Sequence, residues 1–459
     1  MSRAHPYLPN SVPEIKEKMM ADIGIKTIDD LYVNIPEKLR FKGELDVPGP
    51  YTELEVKKLV SDTLEKNTHL KCPPFLGGGV WPHYVPSVVD EVVSRAEFLT
   101  SYTPYQPEIS QGMLQSIFEY QSLICELVEM AVANASMYDW SSALGEAALL
   151  ASRLNHRDTI LVPSFISPAR LAVLKTYTGP AGMKIEKVGY DAETGMMNIE
   201  DLKSRVSEST AAVYVETPSY LGFVEENVKA IGEIAHEKKA VYITGVDPIS
   251  LGILKAPGSY GADVVVGEGQ PLGNHMSYGG PLLGIFACNH DNAIIRQMPG
   301  RIIGVTEAIA DKRRAFVMTL QTREQHIRRE KATSNICSNE ALCSVAGAVY
   351  LSLLGPSGLR DLAETCTSRA NYAIKRINDL PGVVAPAFKS YHFKEFTVKY
   401  SKKKATDVNK VLLAHGYQGG KPLSADFPEL DESTLFCVTE MHTKKDIDGM
   451  VAALKEATQ

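Results

Sequence analysis

The stretch ADVVVGEGQPLGNHMSYGGP, at residues 262–281, decides the fold of this chain. Its apolar run Val264–Val266 ends in a polar, glycine-rich turn, which is typical of a buried strand that brings a site to the edge of a sheet. The turn has no side-chain amine, because no lysine occurs between Lys255 and Lys312. The flanking sequence indicates which kind of sheet this strand belongs to.

Strands and helices alternate on both sides of the turn. Continuous apolar strands joined by helical crossovers predict a mostly parallel sheet that is covered on both faces. We therefore expect an α/β fold; with a small α+β domain after it, this layout is common among aminotransferase-type enzymes, although layout alone does not establish one. Strands are predicted at 159–165, 183–190, 211–217, 240–246, 262–267 and 282–288, with helices at 167–178, 198–206 and 227–239.

The two ends of the chain have a different character. Short helices are predicted at 11–24, with Ser11 as N-cap, and at 52–67, followed by a long helix at 111–130. After a helical region at 323–380, alternating strands and helices predict a small α+β unit, in which Thr443 and Asp446 resemble a capping box. We expect an N-terminal helical segment, a large α/β domain and a small α+β C-terminal domain, at residues 1–70, 71–350 and 351–459.

Composition excludes several classes of protein. The 459 residues are 44% hydrophobic and 22% charged, with a net charge of −7, which argues against nucleic acid as the main partner. The N-terminus lacks the apolar core of a signal peptide, and no apolar run approaches the roughly 20 residues that span a bilayer. The seven cysteines form no CxxC pair, so we expect reduced, mostly buried thiols in a cytoplasmic protein without membrane contact.

Two cofactor sites can be tested against the turn. GEGQPLG has the wrong spacing for a dinucleotide loop, and no helix follows it to hold a pyrophosphate. A pyridoxal phosphate (PLP) site needs a lysine and normally a carboxylate at the pyridine nitrogen. Asp247 could supply the carboxylate, but Gln270 and Pro271 stand where a His-Lys pair would be expected. The chain has the frame of a PLP enzyme without its covalent chemistry.

Three further stretches carry candidate site residues. FLGGGVWPHY (75–84) and SYTPYQPEISQG (101–112) could form substrate-facing loops, although their composition alone favours a proline-stiffened surface or interface loop. QTREQHIRREKATSNIC (321–337) is rich in basic residues, and its spacing favours a solvated helix with i,i+4 ion pairs over an anion or subunit contact. The candidate side chains in the two loops are His83, Tyr84, Tyr102, Thr103, Tyr105 and Glu108.

Four long motifs resemble the glycine decarboxylase P-protein family, the PLP component of the glycine cleavage system. They are the region from FLGGGVWPHY to EISQG, VVVGEGQPLGNHMSYGGPLLGIFA (264–287), RQMPGRIIGV (296–305) and LQTREQHIRREKATSNIC (320–337). The resemblance runs over nearly the whole chain. It is to the N-terminal half of the long single-chain form, which some bacteria and archaea make as a separate subunit 1 (α subunit).

The resemblance implies a PLP-dependent aminotransferase-like fold (fold type I) in which only the second half carries the PLP lysine. That lysine and its preceding histidine would fall on Pro271 and Gln270, and the pyridine carboxylate of the active half near Thr244. Asp247 would then belong to this half's own pattern. The missing lysine is therefore expected, no residue of this chain is catalytic, and PLP would be bound covalently by subunit 2.

The resemblance also implies a reaction and partners. On subunit 2, PLP would allow glycine to lose carbon dioxide, and the aminomethyl group would pass to the lipoyl arm of the H-protein, in a system that includes T- and L-proteins. The 101–108 loop would complete the partner's pocket, and Thr333, Ser334 and Asn335 could lie near the partner's cofactor phosphate. A helix cap is an equal alternative for these three. A purely structural scaffold and a self-sufficient PLP enzyme remain alternatives for the chain, as do αβ and (αβ)2 assemblies.

Overall fold

The computed structural model describes residues 5 and 7–459. The chain divides into two compact units between Thr68 and His69. The first unit ends two residues before the boundary that we expect for the N-terminal helical segment, residues 1–70. The second contains three sheets: a seven-stranded sheet in the large domain, a four-stranded sheet in the small domain and a two-stranded hairpin.

The N-terminal unit consists of short helices and turns. Helix α1 spans Pro13–Asp22 and α2 spans Glu53–Leu64, where a capping box of Thr52 and Glu55 fixes the start. The predicted cap Ser11 is wrong: it ends a 3-10 helix, and Val12 is the residue before α1. None of the described residues in this unit is buried.

A seven-stranded sheet forms the core of the second unit, as predicted. Its strand order is β1-β7-β6-β5-β4-β2-β3, with parallel pairing from β6 to β3 and antiparallel pairing at β7 and β1. The strands are β1 (Val132–Ala133), β2 (Thr159–Pro163), β3 (Lys184–Val188), β4 (Thr210–Glu216), β5 (Val241–Val246), β6 (Val264–Glu268) and β7 (Gly284–Cys288).

Several helices pack their apolar faces against this sheet. Strands β4, β5, β6 and β7 are buried at every residue, which explains their uninterrupted apolar sequences. The helices that precede or connect them are α3 (Ser87–Val93), α4 (Ala96–Leu99), α5 (Gln111–Val128), α6 (Trp140–Asn155), α7 (Pro168–Thr178), α8 (Ile199–Arg205), α9 (Val228–Glu237) and α10 (Asn292–Gln297).

A hairpin and an irregular segment follow the large sheet. Strands β8 (Ile302–Glu307) and β9 (Arg314–Thr319) pair antiparallel. The solvated helix predicted at 321–337 is wrong: the only α-helix there is α11 (Gln325–Arg328). Arg323 and Arg328 in this segment donate to backbone carbonyls instead of forming i,i+4 pairs.

The long helix α12 (Ala341–Asn378) links the two domains and breaks at Gly355, whose φ is 59°. It crosses the predicted domain boundary at residue 350. Contrary to our reading of the apolar runs, α12 is long and apolar enough to cross a membrane by length and composition alone. Half of its most apolar window is buried inside the protein, as in the core helix of a globular domain.

The C-terminal domain is a four-stranded antiparallel sheet with two helices, in agreement with the predicted α+β unit. Thr443 and Asp446 form the predicted capping box. The sheet order is β10-β11-β13-β12. The elements are β10 (Val383–Val384), β11 (Glu395–Tyr400), α13 (Ala405–Ala414), β12 (Lys421–Pro422), β13 (Ser433–Cys437) and α14 (Lys444–Thr458).

All seven cysteines are free thiols. Four of them are buried, and Cys337 alone is exposed. Burial raises the pKa of the Cys72 thiol to about 12, which keeps it protonated.

Candidate functional site

The turn after β6 occupies the carboxyl edge of the large sheet, where α/β proteins build their sites. Gln270 and Pro271 are both buried there. The Gln270 amide nitrogen donates to the Asn274 carbonyl (2.7 Å), and its side-chain oxygen accepts from the Trp81 backbone N–H (3.3 Å). The turn is therefore closed by its own hydrogen bonds and offers no amine to a cofactor.

A buried ion pair lies beside this turn. Asp247 follows β5, and its Oδ2 is 2.6 Å from Lys394 Nζ, with both side chains at most 6% exposed. The other oxygen of Asp247 accepts from the Ile249 N–H and begins a 3-10 helix. Thr244, which the resemblance placed at the pyridine carboxylate, is fully buried within β5. The carboxylate at this strand end is therefore already neutralised by a lysine from the small domain.

The ion pair extends into a buried chain of polar groups. Lys394 Nζ is 2.9 Å from His83 Nε2 and 3.9 Å from the centre of the Trp81 ring. His83 Nδ1 is 2.9 Å from Glu440 Oε2, whose other oxygen accepts from the Tyr84 N–H. Because an ammonium only donates, His83 accepts at Nε2 and donates from Nδ1 to Glu440. The chain joins the sheet, the 75–84 loop and the small domain.

The protonation states in this chain follow from its geometry. Burial opposes the charge on Lys394, but the Asp247 carboxylate outweighs it and holds the lysine pKa above its usual value. Burial and the neighbouring Lys394 charge lower the pKa of His83. His83 is therefore a neutral bridge between a cation and a carboxylate.

His83, Cys366 and Glu440 also present three potential metal ligands within 4.8 Å of one another. Both ring nitrogens of His83 are already engaged, and the Lys394 ammonium lies against one of them. Burial raises the pKa of Cys366, so its sulfur is a thiol and not the thiolate that binds metals. Hydrogen bonding explains this cluster without a cation.

A second buried ion pair lies near Lys394, and its arginine lines the same small cavity. Arg170 forms a two-pronged pair with Glu216 (2.8 and 2.7 Å), and its guanidinium lies 4.0 Å from the centre of the Trp140 ring. The Tyr214 hydroxyl donates to Glu216 and accepts from Trp140 Nε1. Arg170, Glu216, Tyr214 and Trp140 thus satisfy one another inside the protein.

The N-terminus of α6, which faces the same region, is occupied by carboxylates. Asp139 caps the helix by accepting from the Ser142 N–H (2.6 Å), and Glu268 accepts from the Trp140 N–H (3.3 Å). A helix N-terminus can bind a phosphate, but here protein carboxylates take its N–H groups. Burial raises the pKa of Glu268 to about 7, and three backbone N–H groups partly offset that increase.

The space left between these groups is about 10 Å³, enough for roughly one water molecule. Sites for cofactors and drug-sized ligands measure roughly 300–1,000 Å³. The residues present therefore do not fit PLP: the lysine is missing, the phosphate position is blocked and the cavity is filled. Lys394 is the functional group that sequence reasoning missed.

The 101–108 loop lies apart from this closed site. Tyr102 is 85% exposed, and Thr103 and Glu108 are also exposed. Tyr105 is the anchor of the loop: its hydroxyl lies 2.7 Å from Ser338 Oγ, and the Arg301 guanidinium lies 3.9 Å from its ring centre. The loop thereby comes next to the predicted 333–335 segment, whereas His83 is buried in the polar chain and Tyr84 is exposed.

The 333–335 segment is hydrogen-bonded to the rest of the protein on one side and open to solvent on the other. Ser334 Oγ donates to the buried Glu146 (2.7 Å) and accepts from the Ile336 N–H, and the Thr333 N–H donates to the Arg323 carbonyl. Asn335 is exposed and lines an open depression of about 360 Å³ with Arg329. The remaining lining residues are Gln325, Glu330 and Ala332.

Comparison with known proteins identifies the family of this chain. The family model described as glycine cleavage system P-protein matches residues 5–454. The chain is 50% identical to the probable glycine dehydrogenase (decarboxylating) subunit 1 of Staphylothermus marinus, over 99% of this chain and 98% of that protein. It is 49% identical to the protein of the same name from Aeropyrum pernix, over 98% of each.

Solved structures agree in fold. A crystal structure of glycine decarboxylase (P-protein) of the glycine cleavage system, in inhibitor-bound form, matches with a TM-score of 0.88 and 38% identity, over 99% of this chain and 100% of that one. The sphingosine-1-phosphate lyase of Burkholderia pseudomallei matches with a TM-score of 0.65 and 13% identity, over 92% and 93%. The second match shows the fold alone, which is that of PLP enzymes of fold type I.

Proposed function

Because the chain belongs to the glycine cleavage system P-protein family, we propose that it is the PLP-free subunit of a two-chain glycine dehydrogenase (decarboxylating). A second subunit binds PLP covalently. Together the two chains decarboxylate glycine and transfer the aminomethyl group to the lipoyl group of the H-protein. The name subunit 1, which the relatives carry, supports the existence of this partner.

The observation that carries the proposal is the closed site at the end of β6. Gln270 and Pro271 replace the cofactor lysine, and only about 10 Å³ remains where a cofactor would lie. A chain with this fold and no room for PLP requires the cofactor to be supplied elsewhere in the assembly. A self-sufficient PLP enzyme would have to open this site.

Lys394 is the amine nearest to the closed site, and its environment argues against covalent chemistry. An amine must lose its proton before it can attack a carbonyl. The Asp247 carboxylate, at 2.6 Å, instead stabilises the ammonium form. We therefore do not assign Lys394 a cofactor.

The exposed loop residues are the parts of this chain that we assign to the partner's site. Tyr102, Thr103 and Glu108 present a phenol, a hydroxyl and a carboxylate, which could orient a small zwitterion or the lipoyl arm. Tyr84 is a further exposed phenol, whereas the buried His83 and the anchored Tyr105 serve to hold their loops. This assignment rests on exposure and on the rigid anchoring of Tyr105 by Ser338 and Arg301.

The 333–335 segment is assigned to the neighbourhood of the partner's cofactor phosphate. Asn335 and Arg329 bring an amide and a guanidinium to the same open depression, and the neighbouring Thr333 offers a hydroxyl outside it. Hydroxyl, amide and guanidinium donors are the usual partners of a phosphate. The Glu330 carboxylate also lines the depression and opposes an anion there, so the segment's contribution is a contact at the rim.

The N-terminal unit supports a large, lasting interface with the partner. Its apolar side chains lie outside any core; Leu54 is 76% exposed and Phe41 is 69% exposed. Contiguous exposed apolar surface of more than a few hundred Å² marks a protein–protein interaction site, and a standard interface buries roughly 800 Å² of each partner. We propose that subunit 2 covers this surface.

Reconstitution tests the proposal. The chain, subunit 2 and lipoyl H-protein are mixed, and release of carbon dioxide from carboxyl-labelled glycine is measured. We expect activity only with both subunits, and at least a tenfold loss for Tyr102→Ala with intact pairing. Tyr102→Phe separates the phenol from the ring, and Lys403→Ala is the surface control.

Two results would favour other functions. A purely structural role for this chain would be favoured by full activity of subunit 2 alone. Full activity of complexes that carry Tyr102→Ala or Glu108→Ala would favour the same role. Activity of this chain without subunit 2 would favour a self-sufficient enzyme.

A further inference from the structure

One buried side chain, that of Arg301, contacts both stretches that we assign to the partner's site. Arg301 directly precedes β8, and its side chain is only 10% exposed. Its guanidinium lies 3.9 Å from the centre of the Tyr105 ring, which belongs to the 101–108 loop. It also donates to the carbonyl of Cys337, two residues beyond the 333–335 segment. The loop and the segment thus meet at a single cation.

These contacts use the whole guanidinium of Arg301. Its Nε and Nη2 both donate to the Cys337 carbonyl, at 3.1 and 2.8 Å, and its Nη1 donates to the half-buried Glu324 carboxylate. The carbon of the same group lies over the Tyr105 ring. An arginine has the planar fork and the stacking face for this arrangement, whereas a lysine ammonium is a point charge with neither. The site therefore requires arginine for its shape as well as its charge.

The Tyr105 hydroxyl closes a triangle of contacts. It lies 2.7 Å from the Oγ of Ser338, the residue after Cys337. The tyrosine, the guanidinium of Arg301 and the 337–338 backbone each contact the other two. Because interactions that share partners are energetically coupled, the loss of one side of the triangle weakens the other two.

The backbone that carries Arg301 is fixed to the core of the large domain. The Arg301 carbonyl accepts from the N–H of Ala135, which follows β1 (2.8 Å). The preceding residue, Gly300, has a φ of 71°, and its carbonyl accepts from Arg323 (3.1 Å). The left-handed conformation at Gly300 favours glycine and turns the chain into β8. Arg301 is therefore a fixed point from which the loop and the segment are held.

We infer that Arg301 is a positioning residue for the reaction proposed above, and this role rests on that proposed function. It keeps the 101–108 loop and the 333–335 segment in one fixed relation, so that their side chains reach the partner's site together. Arg301 is buried and acts only through them. A misplacement of about 1 Å far from the chemistry can slow a reaction by about 100-fold, so a shared clamp has a large effect on rate.

Hydrogen exchange on the free chain, measured by mass spectrometry, tests the clamp without the reaction. Arg301→Lys keeps the charge opposite Glu324 but removes the fork and the stacking face. Peptides that contain the hydrogen-bonded amides of Tyr105 and Thr333 should exchange about tenfold faster, which corresponds to about 1.4 kcal/mol of local stability. Exchange in strand β5 should not change.

Arg157→Lys is the matched control. The Arg157 side chain is 14% exposed, close to the value for Arg301, and its Nη1 also donates to backbone carbonyls. These carbonyls belong to Thr210, at the amino end of β4, and to Lys238. This substitution should leave hydrogen exchange in the loop and the segment unchanged, and the activity of the complex as well.

Two variants of Tyr105 test the coupling from the loop side, and they keep the test valid if circular dichroism shows that Arg301→Lys is unfolded. Tyr105→Phe keeps the ring against Arg301 and loses only the bond to Ser338, whereas Tyr105→Leu loses both. Exchange around Thr333 should increase about fivefold with Tyr105→Leu and less with Tyr105→Phe. When combined with Arg301→Lys, Tyr105→Leu should add little, because the coupling is already lost.

Kinetics of the complex with subunit 2 test the role in the reaction. Arg301→Lys should lower kcat about tenfold and change the KM for glycine by less than about threefold, because misplaced orienting groups affect the transition state more than binding. Unchanged exchange in either the loop or the segment would overturn the clamp. Faster exchange in both with an unaltered kcat would overturn its role in the reaction. A complex that is inactive even with the unsubstituted chain would instead overturn the proposed function, and the exchange data would still decide whether the clamp exists.

Discussion

Lys394 keeps its charge inside the protein because three groups surround it. The Asp247 carboxylate neutralises it, His83 accepts a hydrogen bond from it, and the Trp81 ring lies below it. Removing one member of a buried ion pair leaves the other charge without compensation. The ion pair therefore couples the stability of the small domain to that of the large sheet.

Replacement of Lys394 by Ala should destabilise the chain by about 3–5 kcal/mol, because Asp247 is left buried and unpaired. Urea unfolding followed by tryptophan fluorescence measures the loss. Lys399→Ala is the matched control, since Lys399 pairs with Asp431 on the surface and should change stability by about 1 kcal/mol or less. Equal effects of the two substitutions would contradict the role of Lys394.

Glu395 predicts a pH dependence of stability. Burial raises its pKa to about 7, above the ordinary value of 4.5. A carboxyl whose pKa is raised on folding contributes stability below pH 4.5, and this contribution is lost as the pH rises toward 7. Between these pH values, the free energy of unfolding of the unsubstituted chain should fall by up to about 3 kcal/mol relative to that of Glu395→Gln. Parallel pH profiles of the two proteins would contradict this.

Residue chemistry was only partly predictable from the sequence. Gln270 and Pro271 stood out because they follow an apolar strand at a fixed distance. Lys394 gave no local signal, since it precedes a strand of the other domain, far along the chain from Asp247. Its role emerges only from tertiary packing.

At the scale of elements, the turn after β6 cannot be converted to a cofactor site by one substitution. Pro271→Lys supplies an amine, but the cavity stays small and the α6 N-terminus stays occupied by Asp139 and Glu268. We expect no borohydride-reducible PLP on this variant, measured by mass spectrometry. Stoichiometric labelling of Lys at position 271 would show that the closed site opens readily.

The strands with the clearest sequence signal are those whose burial is uniform. Strands β4 to β7 are buried at every position, so their apolar runs stand out. The hairpin β8–β9 was missed because most of β8 beyond its first two residues is not buried. The 321–337 segment was misread because Arg301 and Arg323 bond to backbone carbonyls, a choice that spacing cannot reveal.

At the scale of the whole molecule, the apolar surface of the N-terminal unit predicts how pairing can be broken. Leu59 and Val60 of α2 are each about half exposed, so replacing both by Asp should leave the chain's own stability nearly unchanged. Pairing with subunit 2 should weaken by at least tenfold, as measured by sedimentation velocity. Lys58→Asp, on the opposite face of α2, is the control, and unaltered pairing of the double variant would contradict the proposed interface.

The overall architecture followed from the sequence, whereas assembly did not. Apolar periodicity indicates that a face is covered, but it does not distinguish cover by the same chain from the cover by subunit 2 that we propose. The exposed apolar residues of α2 read as an ordinary amphipathic helix, and only their exposure in the folded chain points to a partner.

Borohydride trapping tests the central claim most directly. The chain, subunit 2 and their mixture are each incubated with PLP, reduced, digested and mapped by mass spectrometry. We predict a labelled lysine on subunit 2 and none on this chain in any of the three samples. A stoichiometric label on Lys394, or on any other lysine of this chain, would contradict the account.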